Sequence, residues 1–148
     1  MMQDTKIEKE TPINAPLELI KEIILDTKNY PSFINSIHKC HIHEKGTNYS
    51  DALFYAKVLM FPIQFRVLTK EEGPSRISFV QTSGYFVKLE GSWELQEQGD
   101  EVLLKYNAAV RFPPGALPKV VKACQEVFFP EMIDLFKFEI EQRIKIAA

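Results

Sequence analysis

One feature constrains this chain more than any other: apolar residues recur with a period of two from about residue 37 to 112, and then the period changes. Ala52, Phe54, Ala56, Val58 and Met60 alternate with Leu53, Tyr55, Lys57 and Leu59. After Pro62 the alternation resumes with Ile63, Phe65 and Val67 against Gln64, Arg66 and Lys70. Ile77 and Phe79 share a face opposite Arg76 and Ser78. Over 85–96, Tyr85, Val87, Leu89, Gly91, Trp93 and Leu95 oppose Phe86, Lys88, Glu90, Ser92, Glu94 and Gln96. Val102, Leu104, Tyr106, Ala108, Val110 and Phe112 form a last such face. Successive strand residues point to opposite sides, so this pattern predicts strands with one dry face and one wet face. Gly73-Pro74, Gly84 and Gly99-Asp100 are turn signals between them. Strands joined by such short turns form an antiparallel meander.

Pro113-Pro114-Gly115 ends the alternation. Val121, Cys124, Val127, Phe128, Met132, Leu135, Phe136 and Ile140 then recur at helical spacing over about 117–146. A helix of that length spans on the order of 45 Å. Pro130 sits inside it, removes a backbone donor and clashes with the preceding turn, so a kink or break is predicted near 126–130. Ahead of the strands, 5–13 reads as a strand. Pro16 starts a helix over about 16–26 with Leu17, Ile20, Ile23 and Ile24 on one face. Asp26 and Thr27 are placed to cap a second short helix that carries Tyr30-Pro31, Phe33 and Ile34. With no repeats or linkers, residues 1–148 read as one domain.

The predicted class is α+β: a curved antiparallel sheet of about six or seven strands wrapped around a long C-terminal helix, with two short helices after the first strand. A bent sheet does not readily close over one helix everywhere, so a cavity between them is expected. A fully packed core accounts for the same stripes.

Composition narrows the function. The 148 residues are enough to bury a core without disulfides or metal. The net charge is −2 and no long basic run occurs, which argues against DNA as a partner. Cys40 and Cys124 are far apart and read as free thiols, Cys124 on a buried helix face. The charged N-terminus MMQDTKIEKE lacks a signal peptide's apolar stretch, and no run approaches a transmembrane span. A cytoplasmic protein is expected.

Four segments carry a resemblance. DTKNYPSF at 26–33 is similar to a D-x-x-x-Y-P-x-F segment. SGYFVKLEGSWELQE at 83–97 is similar to a G-P-F-x-x-L-x-G-x-W-x-F strand. INAPLELIKEII at 13–24 resembles the matching first helix, and MIDLFKFEIEQR at 132–143 the closing helix. Together and in this order they resemble the START-like (SRPBCC) superfamily, in its polyketide cyclase/dehydrase and coenzyme Q-binding branch. Tyr85 stands where that branch usually has Pro, Leu95 where it often has Phe, and Asn35-Ser36 where a Leu/Pro-Trp-type sequence is common. The resemblance implies a helix-grip fold and a polyprenyl quinone or another lipid-like ligand. The branch also includes polyketide aromatase/cyclases and a ribosome-association toxin.

On this reading Phe33, Phe54, Phe65, Phe79, Leu89, Trp93, Tyr106 and Phe128 line a ligand cavity; alternatively they only pack against one another. Burying ten CH₂ groups is worth about 8 kcal/mol, so a lipid tail needs no polar contact to bind. Thr69, Tyr106 and Tyr85 are the evident inward hydroxyls. No Ser/His/Asp set, phosphate loop or carboxylate pair stands out, which favours carrying a molecule over converting it. No catalytic residue is assigned. Arg66 and Arg111 fall on the outer parity, where solvation is expected; alternatively Arg66 contacts a headgroup or carbonyl at the cavity mouth. His41 and His43 share a strand face, but zinc needs two more ligands, for which Asp51 or Glu44 would have to approach. No metal or cofactor is expected. The loop 113–118 is either a gate or a rigid connector. Phe61-Pro62 is either a tip for transient membrane-surface contact or a buried hairpin end.

The expected function is therefore a carrier or chaperone of a hydrophobic small molecule of the lipid or isoprenoid quinone type. An aromatase/cyclase-type enzyme and a ribosome-association interaction protein are the alternatives.

Overall fold

The structure is a computed structural model that describes residues 3–147. Seven antiparallel strands form one sheet: β1 (Thr5–Ile13), β2 (Ile37–Lys45), β3 (Tyr49–Val58), β4 (Phe61–Glu71), β5 (Arg76–Gly84), β6 (Lys88–Gln98) and β7 (Glu101–Arg111). Their order is β1-β7-β6-β5-β4-β3-β2, so every neighbour from β2 to β7 is joined by a short connection. The first strand closes the far edge against β7. Between β1 and β2 come helix α1 (Leu17–Leu25) and a 3₁₀ turn, Thr27–Ser32. The chain ends in α2 (Pro118–Ala123), a π-helical segment (Cys124–Phe128) and α3 (Met132–Ala147). This is a helix-grip fold. No helix among the described residues is long and apolar enough to cross a membrane.

Curvature comes from local irregularities. Bulges interrupt the β2–β3 ladder and the β4–β5 ladder at Arg66/Val67, and each adds twist and bend. Gly91 lets the strands approach closely at the bend. A Cβ there would lie 2.0 Å from the carbonyl oxygen of Asn107 and 2.6 Å from the Phe79 ring. The dry face and α3 then share one core around Ile13, Ile24, Leu104, Ile133 and Phe136, all buried. Lys21 is buried too, its ammonium 3.0 Å from Glu71, which ties α1 to the end of β4.

Five local expectations need correction. Gly84 has φ +142°, and the chain bends over Tyr85–Val87 before β6 starts at Lys88. The bend reverses the parity: Phe86 is buried and Val87 is exposed. The alternation over 52–60 stops at Val58, and Leu59 and Met60 form an exposed hairpin tip. The long helix breaks over 129–131, where a break was expected, but the preceding turn is π-helical and Val127 points outward. Asp26 makes no capping bond; the Thr27 hydroxyl instead pairs with Ser50, and Tyr30 donates to the carbonyl of Ile24. Arg66 and Arg111 are paired rather than merely solvated, with Asp51 at 2.7 Å and Asp4 at 2.8 Å.

Candidate functional site

The residues that could hold a ligand come from the concave side of the sheet and from the C-terminal helical segment. Phe54, Phe65, Phe79, Leu89, Trp93 and Tyr106 sit at inward positions of β3 to β7. Strand parity alone aims them at the helix. The helical segment contributes Phe128, Phe129, Met132 and Phe136. Two adjacent phenylalanines both face inward because of the π turn. The Phe129 N–H donates to Cys124 O at 3.1 Å, five residues back. One residue is thereby inserted into the helical phase, so the inward stripe runs through Phe128 and restarts at Phe129.

These side chains line a void of about 70 Å³. Seven of the eight sequence candidates lie on its wall: Phe54, Phe65, Phe79, Leu89, Trp93, Tyr106 and Phe128. Phe33 does not. It packs edge-on against Phe136 and Tyr30, with centroids 5.1 and 5.9 Å away, and supports the wall from behind. Tyr30, Ile37, Val67, Thr69 and the helical residues complete the lining. Tyr30 is fixed there by stacking on Phe54 at 5.5 Å and by an edge contact with Phe136 at 5.1 Å. Its sequence signal was the Tyr-Pro dipeptide, which marks a turn and carries no information about facing.

The hollow is small. A water occupies about 30 Å³ of liquid, whereas ligand pockets run to roughly 300–1,000 Å³. Aromatic rings fill the rest: Trp93 lies 4.5 Å from Tyr106 and 4.7 Å from Phe136. A second space of about 310 Å³ lies outside, as a groove between the β3–β4 hairpin and the helical segment. Asn35, Lys57, Leu59, Ala123, Val127 and Leu135 are among its walls. Phe128 lines both spaces, so its ring is the partition between void and groove. None of residues 113–118 lines the void.

The wall is electrically quiet. Its ionisable groups are the phenols of Tyr30 and Tyr106, both held well above the ordinary tyrosine value by burial. Neither is a base at neutral pH. The hydroxyls of Tyr106 and Thr69 can form hydrogen bonds with a carbonyl or hydroxyl of a ligand, but nothing on the wall stabilises a full charge. Tyr85 does not reach the void. Its hydroxyl is buried without a partner beside the rings of Phe61 and Phe86. The Cys124 thiol, also buried, is pushed up to about 12 by desolvation. On the outer face His41 and His43 lie 4.9 Å apart, while Asp51 is engaged by Arg66. Among the described residues no three His, Cys, Asp or Glu side chains are grouped to hold a metal.

Comparison with known proteins agrees with this architecture. The aromatase/cyclase Zhui from Streptomyces sp. R1128 superposes with a TM-score of 0.83 at 15% identity, covering 99% of both chains. A START superfamily protein from Mycobacterium smegmatis gives 0.75 at 20% identity, over 93% of this chain and 97% of that one. A STAR-related lipid transfer protein fragment from Xanthomonas axonopodis gives 0.73 at 12%, over 92% and 85%. At these identities the likeness establishes the fold. No curated protein matches the chain by sequence. The family model for polyketide cyclase / dehydrase and lipid transport matches residues 13–137, and the chain belongs to that family.

Proposed function

We propose that this protein binds a hydrophobic small molecule, of the lipid or isoprenoid quinone type, between the sheet and the C-terminal helical segment, and acts as its carrier or chaperone. The observation that carries this reading is the Phe128 partition. An aromatic void with no charged wall residue is separated by one ring on a π-helical turn from a groove whose walls mix apolar side chains with Lys57 and Glu131. The groove alone reaches the lower end of the size range of ligand pockets, and with the ring swung aside the void extends it into the interior. A bound tail that buries ten CH₂ groups gains about 8 kcal/mol. Association costs reduce this, so micromolar affinity is the ceiling without polar contacts. Membership of a family that includes lipid transport supports the same reading.

The test is solvent extraction of purified protein followed by mass spectrometry, together with titration of fatty acids and short-chain quinones. A molecule recovered at a substantial fraction of one per chain, or saturable uptake, supports binding. Repeated recovery of none with no saturable uptake refutes it.

A second reading rests on the Tyr106 and Thr69 hydroxyls in the wall and on the likeness to Zhui: an aromatase/cyclase-type enzyme. Turnover of a poly-β-carbonyl substrate that is lost in Tyr106→Phe would favour it over carriage.

A further inference from the structure

Eight large apolar side chains stand exposed among the described residues: Leu59, Met60, Val80, Val87, Leu117, Val127, Phe138 and Ile146. Five of them gather at one end of the sheet. Leu59 and Met60 are the tip of the β3–β4 hairpin, between the paired residues Val58 and Phe61. Val87 lies in the β5–β6 bend, its N–H bonded to the carbonyl of Arg111 at the end of β7. Leu117 immediately precedes α2, and Val127 shares the outer groove with Leu59. The turns of the opposite end differ. Those at 46–48, 72–75 and 98–100 expose no large apolar side chain, although Ile146 at the end of α3 is exposed on that side, and the acids Glu71, Glu72, Glu97, Asp100 and Glu101 collect there beside Lys45, Lys70 and Arg76.

The hairpin tip carries a second signal. Leu59 and Met60 both have positive φ, 51° and 68°. A two-residue turn of that sign favours Asn-Gly or Asp-Gly, because a branched or bulky side chain is strained there. Leu59 and Met60 are 64% and 78% exposed, so packing does not compensate the strain. Folding alone would select other residues at both positions. Outliers of this kind accumulate at functional sites.

Charge completes the pattern. Lys57, Lys119 and Lys122 are exposed at the apolar end and make no salt bridge among the described residues. Lys88 and Arg111 at that end are paired with Asp4, and Glu126 and Glu131 are the acids of the adjoining helical segment. Acidic turns therefore face one way and unpaired lysines with apolar tips the other. We infer that this end docks on a bilayer containing anionic lipid, with Leu59 and Met60 inserted at the headgroup boundary and the lysines over the lipid phosphates. The pair that inserts is Leu59-Met60, not the neighbouring Phe61-Pro62, because Phe61 packs against Tyr85. Docking so oriented also turns the Phe128 groove towards the lipid. The inference does not require that the interior bind a ligand.

Vesicle flotation tests it, with phosphatidylcholine alone and with added phosphatidylglycerol. The wild type is expected to float with the mixed vesicles and to dissociate as salt is raised. Leu59→Asn/Met60→Gly gives the turn its preferred residues, so thermal unfolding should hold or improve while vesicle affinity falls about tenfold or more. Lys119→Gln/Lys122→Gln should weaken binding to the anionic vesicles alone, by about fivefold per lysine. Val80→Ser, an exposed apolar site on β5, should bind as the wild type does. Undiminished binding by the turn variant overturns the inference, as does a loss in Val80→Ser of the same size. So does a wild type that ignores both vesicle types, or one that instead forms a Leu59/Met60-dependent dimer in sedimentation.

Discussion

Replacing Phe128 by alanine separates a gate from an ordinary core residue. The ring is only 6% exposed and lies 4.9 Å from Phe129 and 6.4 Å from Phe65. Truncating a core phenylalanine costs about 3–5 kcal/mol. One side of this ring faces the groove, from which water can enter, so the lower value of about 3 kcal/mol applies. For a domain of this size each kcal/mol lowers Tm by about 2–4 °C, giving a drop of about 6–12 °C. A core residue and a gate agree up to this point. They differ in uptake kinetics. If the ring blocks the route inward, its removal should speed stopped-flow uptake of a fluorescent fatty acid by about tenfold, equivalent to removing about 1.4 kcal/mol of barrier. Ligand at about 100 times Kd should then restore about 2.7 kcal/mol, nearly the whole loss. An unchanged uptake rate with the full stability loss would refute the gate.

Three further outcomes follow from the same structure. Tyr106→Phe should leave fatty-acid affinity within about twofold and weaken a carbonyl-bearing quinone by up to about tenfold, the worth of one hydrogen bond, as read by titration calorimetry. Gly91→Val should lower Tm by several degrees or abolish folding, because its Cβ would meet Asn107 O at 2.0 Å; a variant as stable as wild type would contradict the close approach. Cys124, raised by burial from 9.0 to about 12, should resist thiol reagents in the native state and make the fold pH-sensitive. The unfolded thiol loses its proton first, so stability is full below pH 9 and declines as pH rises from there towards 12. Chemical denaturation across that window should show a shallower decline in Cys124→Ala.

Much of this architecture was legible in residue order because strand parity is a local property. The inward sets of β3 to β7 follow from period two and supply six of the seven wall residues; the seventh, Phe128, follows from the helical stripe. Where the chain departs from regular geometry, parity fails. Gly84 takes a backbone conformation open chiefly to glycine, and from there Phe86 and Val87 exchange sides. The π turn at Cys124–Phe128 inserts one residue, which brings Phe129 inward and sends Val127 out. Thr27 and Ser50 lie 23 positions apart, and nothing local announces that they pair. The size of the void was not legible either. The same phenylalanines can line a hollow or fill it, and the difference is set by ring rotamers and by how far α3 settles onto the sheet.

The most direct measurement is a structure of the protein saturated with a fatty acid or short-chain quinone. Ligand should lie between the concave face of the sheet and α3, against Trp93 and Tyr106, with the Phe128 ring turned from its apo position and the void enlarged. A ligand found only on the surface, beside an interior still closed at about 70 Å³, would contradict internal binding.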